Sequence, residues 1–307
     1  MIPINSARPR FLDLQVLILA PLGAANFFTY HAYTVFLFTV GDLKTILLPL
    51  SFFACATAPV QSWQHLTQGV FWILTHQLMC NVSNQARSRA EDAINKPWRP
   101  LPSGRITEHQ ALLLRYLLVI LCACHSALFG ADMVLTTFGL FFTTYLYDEV
   151  EMSSHWLGKN ICNIAGYTTI EIGATKLMGI TRDLDHVSVT SICLSGAVIL
   201  TTIQAQDFRD TDGDRALGRI TFPIYAPGLS RAVTLAALIC WSYGLSSFWG
   251  IGPALRTAYL ALGMMVGFRY YFMRHVEADR FSYVLYNVWL TFAHIMPAHA
   301  RFGVFSV

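Results

Sequence analysis

Charged side chains are scarce in this sequence: Asp, Glu, Lys and Arg make up 13% of its 307 residues, against roughly 25% in an average soluble domain. So few charges cannot cover the surface of a water-soluble fold of this length. A bundle of helices facing lipid needs charge only at its ends and in its functional interior. A hydrophobic share of 54% and a mean hydropathy of +0.47 agree with that reading. The sequence also lacks any Lys/Arg run that could track a phosphate backbone, and a net charge of +3 is mild, so nucleic acid is excluded as a partner. None of the seven cysteines forms a CxxC pair, and all lie in or beside apolar stretches. They read as small apolar residues rather than metal ligands or disulfide partners.

What is abundant is apolar sequence in spans of bilayer length, roughly 20 residues each. About nine are expected, near 33–58, 62–92, 107–128, 131–150, 160–178, 187–212, 228–248, 252–274 and 281–300, with Gly41 and Pro49 placed to bend the first. The fold class is therefore all-α, a multi-pass membrane helical bundle. Residues 1–30 form a separate membrane-associated segment, broken by Pro21, Gly23 and Asn26; small residues at 23–25 leave a cleaved signal peptide as the alternative. Residues 31–307 form the transmembrane domain. If every span crosses, the connections rich in Lys and Arg fall on one side, which the positive-inside rule makes cytosolic.

Two of those connections are acidic as well as basic. In 84–92, Asn84, Ser88 and Asp92 are spaced i, i+4, i+8 and would share about 80° of a helix circumference. In 207–214, Asp207, Asp210 and Asp214, at i, i+3 and i+7, would share about 60° of a helix. Four spans separate the segments, which puts both on the same side, able to converge on one ligand. Several carboxylates with amide and hydroxyl oxygens suit Mg²⁺, which takes one or two protein carboxylates and completes its shell with phosphate oxygens and water. Basic residues nearby, among them Lys96, Arg99, Arg105 and Arg215, are candidates for the remaining phosphate charge. The expected ligand is a diphosphate bridged by Mg²⁺.

The run 84–106, NQARSRAEDAINKPWRPLPSGRI, and the run 207–223, DFRDTDGDRALGRITFP, resemble the two signature regions of the UbiA superfamily of intramembrane prenyltransferases. The resemblance covers both motifs and the span count. It implies nine transmembrane helices around a central cavity that opens sideways to lipid, with a prenyl diphosphate as substrate and Mg²⁺ as cofactor. The first motif departs from the family pattern NDxxDxxxD, because Gln85 and Ser88 stand where the first two Asp residues would be. What remains, Asn84, Ser88 and Asp92, has the spacing of the NxxxSxxxE metal motif of soluble class I terpene synthases, a chemical rather than ancestral likeness. The pattern as a whole also resembles the fungal branch that includes UbiA-type terpene cyclases.

The resemblance thus implies a cyclase that ionises geranylgeranyl or farnesyl diphosphate and lets the distal double bond attack the cation. The alternatives are a prenyltransferase using an aromatic or other acceptor, and a non-enzymatic isoprenoid carrier. Gln85 and Tyr147 join the candidate substrate-binding set, as does Lys159, for which a snorkelling anchor is the competing role. Phe71, Trp72, Phe141, Phe142, Tyr145, Tyr147 and Tyr167 are candidates to line a dry cavity and stabilise positive charge. Glu171, Lys176 and Arg115 are intramembrane charges, with Glu171 expected to face the cavity or pair internally. His76, His125 and His294 read as core histidines.

Overall fold

Backbone groups in hydrocarbon have no water to bind, which leaves a chain this apolar with helices as its spanning element. The structure, a computed structural model, describes residues 26–60 and 62–306. Among these the regular structure is helical, joined by turns and short loops, with one isolated bridge between His155 and Ile220. The helices are α1 (Asn26–Thr39), α2 (Leu48–Thr57), α3 (Trp63–Arg87), α4 (Arg89–Asn95), α5 (Glu108–Ala127), α6 (Ala131–Asp148), α7 (Trp156–Met178), α8 (His186–Thr202), α9 (Thr211–Ala216), α10 (Phe222–Tyr225), α11 (Pro227–Phe248), α12 (Pro253–Phe272), α13 (Val276–Ile295) and α14 (Pro297–Phe302). The N-terminal segment expected at 1–30 lies outside the described residues except for 26–30, which open α1.

Local chemistry sets many of these boundaries. Thr107 and Gln110 close a reciprocal capping box at α5, the Asp185 carboxylate accepts from the Ser188 N–H (3.0 Å) at α8, and proline fills the first turn of α11, α12 and α14. The long helices neighbour one another in chain order from α2 through α3, α5, α6, α7, α8, α11 and α12 to α13, which returns to α2 and closes a ring. Within it α7 also packs on α2 and α3. Gly173 makes that approach possible, since a Cβ there would overlap the Trp72 indole. Leu113, Tyr116, Leu117 and Ile120 of α5 and Leu135, Phe138 and Phe142 of α6 are exposed, as lipid-facing residues must be.

Three helical stretches, Glu108–Ala127, His186–Ala216 and Pro227–Phe248, are long and apolar enough to count as spans. Asn26–Thr39 with Leu43–Thr57, bent by 53°, makes a fourth. The nine spans read from the sequence are not established by that criterion. Helices such as α3 are long enough but carry Gln77, Asn81 and Asn84 toward the interior, which lowers their hydropathy.

The bend near Gly41 opens the carbonyls at the end of α1, and α3 answers it. Gln77 donates to the Thr39 carbonyl (3.3 Å), while Asn81 and Gln85 both donate to that of Phe38 (3.0 Å each). Amides spaced i, i+4, i+8 thus satisfy a backbone break that lipid would not tolerate. The two polar helix extensions also differ from the uninterrupted helices expected. The first breaks at Ser88 (φ −105°, ψ 22°), although the Ser88 and Asp92 N–H groups still reach the carbonyls four residues back (2.9 Å each). The second leaves α-geometry after Thr202 and runs as 3₁₀ turns to Asp210, with the Gln204 side chain donating to the Thr201 carbonyl (2.8 Å).

Candidate active site

The two acidic segments meet at one end of the ring. Gly213 of α9 lies against the Asn95 side chain of α4, where a Cβ would collide. The Arg219 guanidinium bonds the Glu91 carboxylate, and Lys96 Nζ stands 3.7 Å from Asp210 Oδ2. Together with α6, α7 and the α1–α2 bend they wall a cavity of about 240 Å³.

Of the thirteen metal- and substrate-binding candidates named from the sequence, seven line this cavity: Asn84, Lys96, Arg99, Tyr147, Lys159, Asp207 and Asp210. Lys159 reaches in from the first turn of α7, with Nζ 2.7 Å from Asp207 Oδ1 and 3.8 Å from Asp214 Oδ2. Asp214 itself is fully buried behind the wall, where Arg219 also approaches it (3.4 Å). Asp92 is buried too, held by Arg99 Nη1 at 2.8 Å. Ser88 donates to the Asn84 carbonyl (2.8 Å) and lies 3.4 Å from Asp92 Oδ2. Asn84, Ser88 and Asp92 therefore do not present one stripe to the cavity; Asn84 alone of the three lines it.

Three further candidates sit elsewhere. Gln85 is buried beneath the site on the Phe38 carbonyl. Arg105 stacks over Tyr30 and Tyr33, 4.2 and 4.9 Å from the ring centres, and Arg215 is exposed beside Asp212. Among the seven candidate aromatics, Tyr147 and Tyr167 line the cavity. Phe71, Phe142 and Tyr145 are exposed on the outer face, and Trp72 is core, donating to Ser126 Oγ (2.8 Å). The intramembrane charges pair internally: Glu171 accepts from Ser195 Oγ (2.5 Å), Lys176 meets Asp132 (2.6 Å), and Arg115 holds Glu149.

The wall also contains groups that sequence reasoning did not select. Asp42 comes from the α1–α2 bend, Asp148 from the last turn of α6, Arg209 and Arg219 from the second acidic segment, and Tyr283 from α13. Arg209 lies over the Tyr283 ring, 4.0 Å from its centre. The signal for Asp42 was its place beside Gly41; for Arg209 and Arg219 it was membership of the second motif.

Counted together, seven acids (Asp42, Glu91, Asp92, Asp148, Asp207, Asp210, Asp214) face or back the cavity against five bases (Lys96, Arg99, Lys159, Arg209, Arg219). Among the described residues no three His, Cys, Asp or Glu side chains converge as a ready-made metal cage. Two carboxylate oxygens, Asp207 Oδ2 and Asp214 Oδ2, are nevertheless buried without a hydrogen-bond partner. Hard carboxylate oxygens that no hydrogen bond satisfies fit a divalent cation that brings other ligands with it.

With the site laid out, its kinship is specific. Over 272 residues the chain is 28% identical to the fumagillin beta-trans-bergamotene synthase of Aspergillus fumigatus, covering 87% of this chain and 92% of that one. It is 26% identical over 259 residues to a diterpene cyclase of Hericium erinaceus, covering 81% and 82% respectively. Its fold matches that of a UbiA homolog from Archaeoglobus fulgidus, solved bound to DMAPP and Mg²⁺, with a TM-score of 0.60 at 16% identity over 89% of this chain and 99% of that one. Residues 45–291 match the UbiA prenyltransferase family, and the chain, an integral membrane enzyme, belongs to it.

Proposed function

We propose that this chain is a Mg²⁺-dependent class I terpene cyclase that ionises a linear prenyl diphosphate, geranylgeranyl or farnesyl, and cyclises the resulting cation inside the membrane. One observation carries the reading: five acids and five bases line the cavity and two further acids, Asp92 and Asp214, back it, so with every acid ionised a diphosphate anion enters favourably only with divalent cations. Asn84, Asp207 and Asp210 on the wall are the direct oxygen donors for Mg²⁺. Asp92 and Asp214 behind them hold Arg99, Lys159 and Arg219, and Ser88 bonds the Asn84 carbonyl beside Asp92. When bound, Mg²⁺ supplies neutralisation of the charge that grows on the departing diphosphate.

Lys96, Arg99, Lys159, Arg209 and Arg219 orient the diphosphate at the polar end. Tyr147, Tyr167 and Tyr283 bring aromatic rings to the wall, and Ile46, Leu140 and Ile170 exclude water from the prenyl chain. The domain comprises 31–307, all nine spans cross, and the polar end faces the cytosol, in an endoplasmic reticulum or other endomembrane if the cell is eukaryotic; lipid surrounds the ring. Both relatives compared over most of their length are named as a synthase and a cyclase, which favours ring closure over transfer.

Membranes bearing the protein, incubated with geranyl, farnesyl or geranylgeranyl diphosphate and Mg²⁺ without an acceptor, are expected to yield a cyclic hydrocarbon and free diphosphate. Product formed only with an aromatic acceptor would make it a prenyltransferase. Binding without diphosphate release would make it a carrier.

A further inference from the structure

The first motif has lost two carboxylates to Gln85 and Ser88, and the fold replaces one of them from another helix. Asp148, in the last turn of α6, lines the cavity directly across from Asn84. Its Oδ1 accepts from Asn84 Nδ2 (3.1 Å) and its Oδ2 from Ser83 Oγ (2.7 Å). A carboxylate can only accept, so Asn84 must turn its amide nitrogen toward Asp148, which leaves the Asn84 carbonyl oxygen for another partner. Two ionised oxygens offer about four acceptor positions, of which two are used. Asp148 therefore retains acceptor capacity beside the freed Asn84 oxygen, with no cation among its hydrogen-bond partners in the described residues.

We propose that Asp148 is the missing carboxylate of the first metal site, a cation ligand carried on α6 in place of the family's Asp on α3, with Asn84 as its neighbouring ligand. The inference rests on the Mg²⁺–diphosphate reading of the cavity. It also accounts for Gln85: once α6 supplies the charge, position 85 is free to hold the α1 bend through the Phe38 carbonyl.

A charge relocation tests this. Detergent-purified wild type, Asp148→Asn, Asn84→Asp and the double variant are titrated with Mn²⁺ in the presence of inorganic pyrophosphate. Bound metal is read by electron paramagnetic resonance, and thermal unfolding is recorded alongside. Asp148→Asn keeps the side chain's size but removes its charge, and should weaken Mn²⁺ binding at least tenfold. Asn84→Asp with Asp148→Asn moves the carboxylate back to α3 facing an amide on α6, and should recover binding to within about threefold of wild type. Normal Mn²⁺ affinity in Asp148→Asn, or no recovery in a double variant that unfolds at the wild-type temperature, overturns the inference. Absence of Mn²⁺ binding in the wild type would instead sink the metal reading beneath it.

Discussion

Lys159 is the cation whose loss should be felt most. Its side chain is 8% exposed, and the two carboxylates it holds, Asp207 and Asp214, are 2% and 0% exposed. At an effective dielectric of about 20, the attraction at 2.7 Å comes to roughly 6 kcal/mol and that at 3.8 Å to roughly 4. Most of this is offset by the desolvation of three charges. Deleting one member is different, because it strands the others: breaking a buried pair costs about 3–5 kcal/mol. Lys159→Met, which keeps the volume and drops the charge, should lower the unfolding midpoint by roughly 6–10 °C, taking about 2 °C per kcal/mol for a chain of this size. Asp214 retains Arg219 (3.4 Å), so the larger share of the loss belongs to Asp207. Adding Asp207→Asn should therefore restore at least half of it. Differential scanning fluorimetry in one detergent, without metal or diphosphate, measures all three proteins. A Lys159→Met midpoint within about 1 °C of wild type, or a double variant less stable than the single, refutes the buried-pair argument.

Gln85→Asp rebuilds the family's residue yet should destabilise by about 1–3 kcal/mol, since a carboxylate cannot donate to the Phe38 carbonyl, and should not raise turnover; unfolding and diphosphate release read the two effects. Arg105→Ala and Arg215→Ala should each leave turnover within about threefold, because both side chains lie off the cavity, with Arg105→Ala costing about 1 kcal/mol for its lost ring contacts. A tenfold loss of kcat in either returns that residue to the substrate-binding set. The Arg301 guanidinium, at 2.5 Å from each Asp185 oxygen, holds that carboxyl well below the usual range. Its stabilisation is thus complete above the ordinary Asp value and disappears as pH falls through the depressed one. Asp185→Asn keeps the α8 cap, so its midpoint deficit should be full at pH 6 and shrink steadily below pH 4; a deficit constant with pH contradicts the linkage.

Composition and motif spacing made the helical membrane class and the meeting of the two acidic segments legible, because apolar length and repeated acidic ends are properties of the chain itself. The direction each oxygen faces was not. An i, i+4, i+8 stripe assumes an unbroken helix and fixes only relative angle; here the helix breaks at Ser88, and Asp92 turns to Arg99. Arg215 and Arg219 look interchangeable in sequence, four residues apart. The chain leaves α9 after Ala216 and reverses through Gly218 at φ 70°, which carries Arg219 inward onto Glu91 and leaves Arg215 in solvent. Asp148 escaped because its role depends on α6 lying beside α3, a tertiary fact with no local signature.

The unliganded cavity is already internally neutralised over most of its surface, and that shapes how substrate enters. Lys96, Arg99, Lys159 and Arg219 each rest on a carboxylate, so their heads stay near the polar end without a ligand present. A diphosphate arriving alone meets those cations with their fields largely cancelled by the acids on and behind the wall, and gains little. A divalent cation arriving alone finds carboxylates whose charge is already shared, and no cage of three among the described residues. Arriving together, each relieves the obstacle to the other: the cation takes the carboxylate oxygens, and the basic side chains turn to phosphate. Binding of the two should therefore be strongly coupled. By calorimetry in detergent, pyrophosphate with Mg²⁺ should bind at least a hundredfold more tightly than pyrophosphate in a chelator, a coupling of about 2.7 kcal/mol. Equal affinity in the two conditions would mean that the bases alone hold the diphosphate, and that the acids serve only to keep those bases in place.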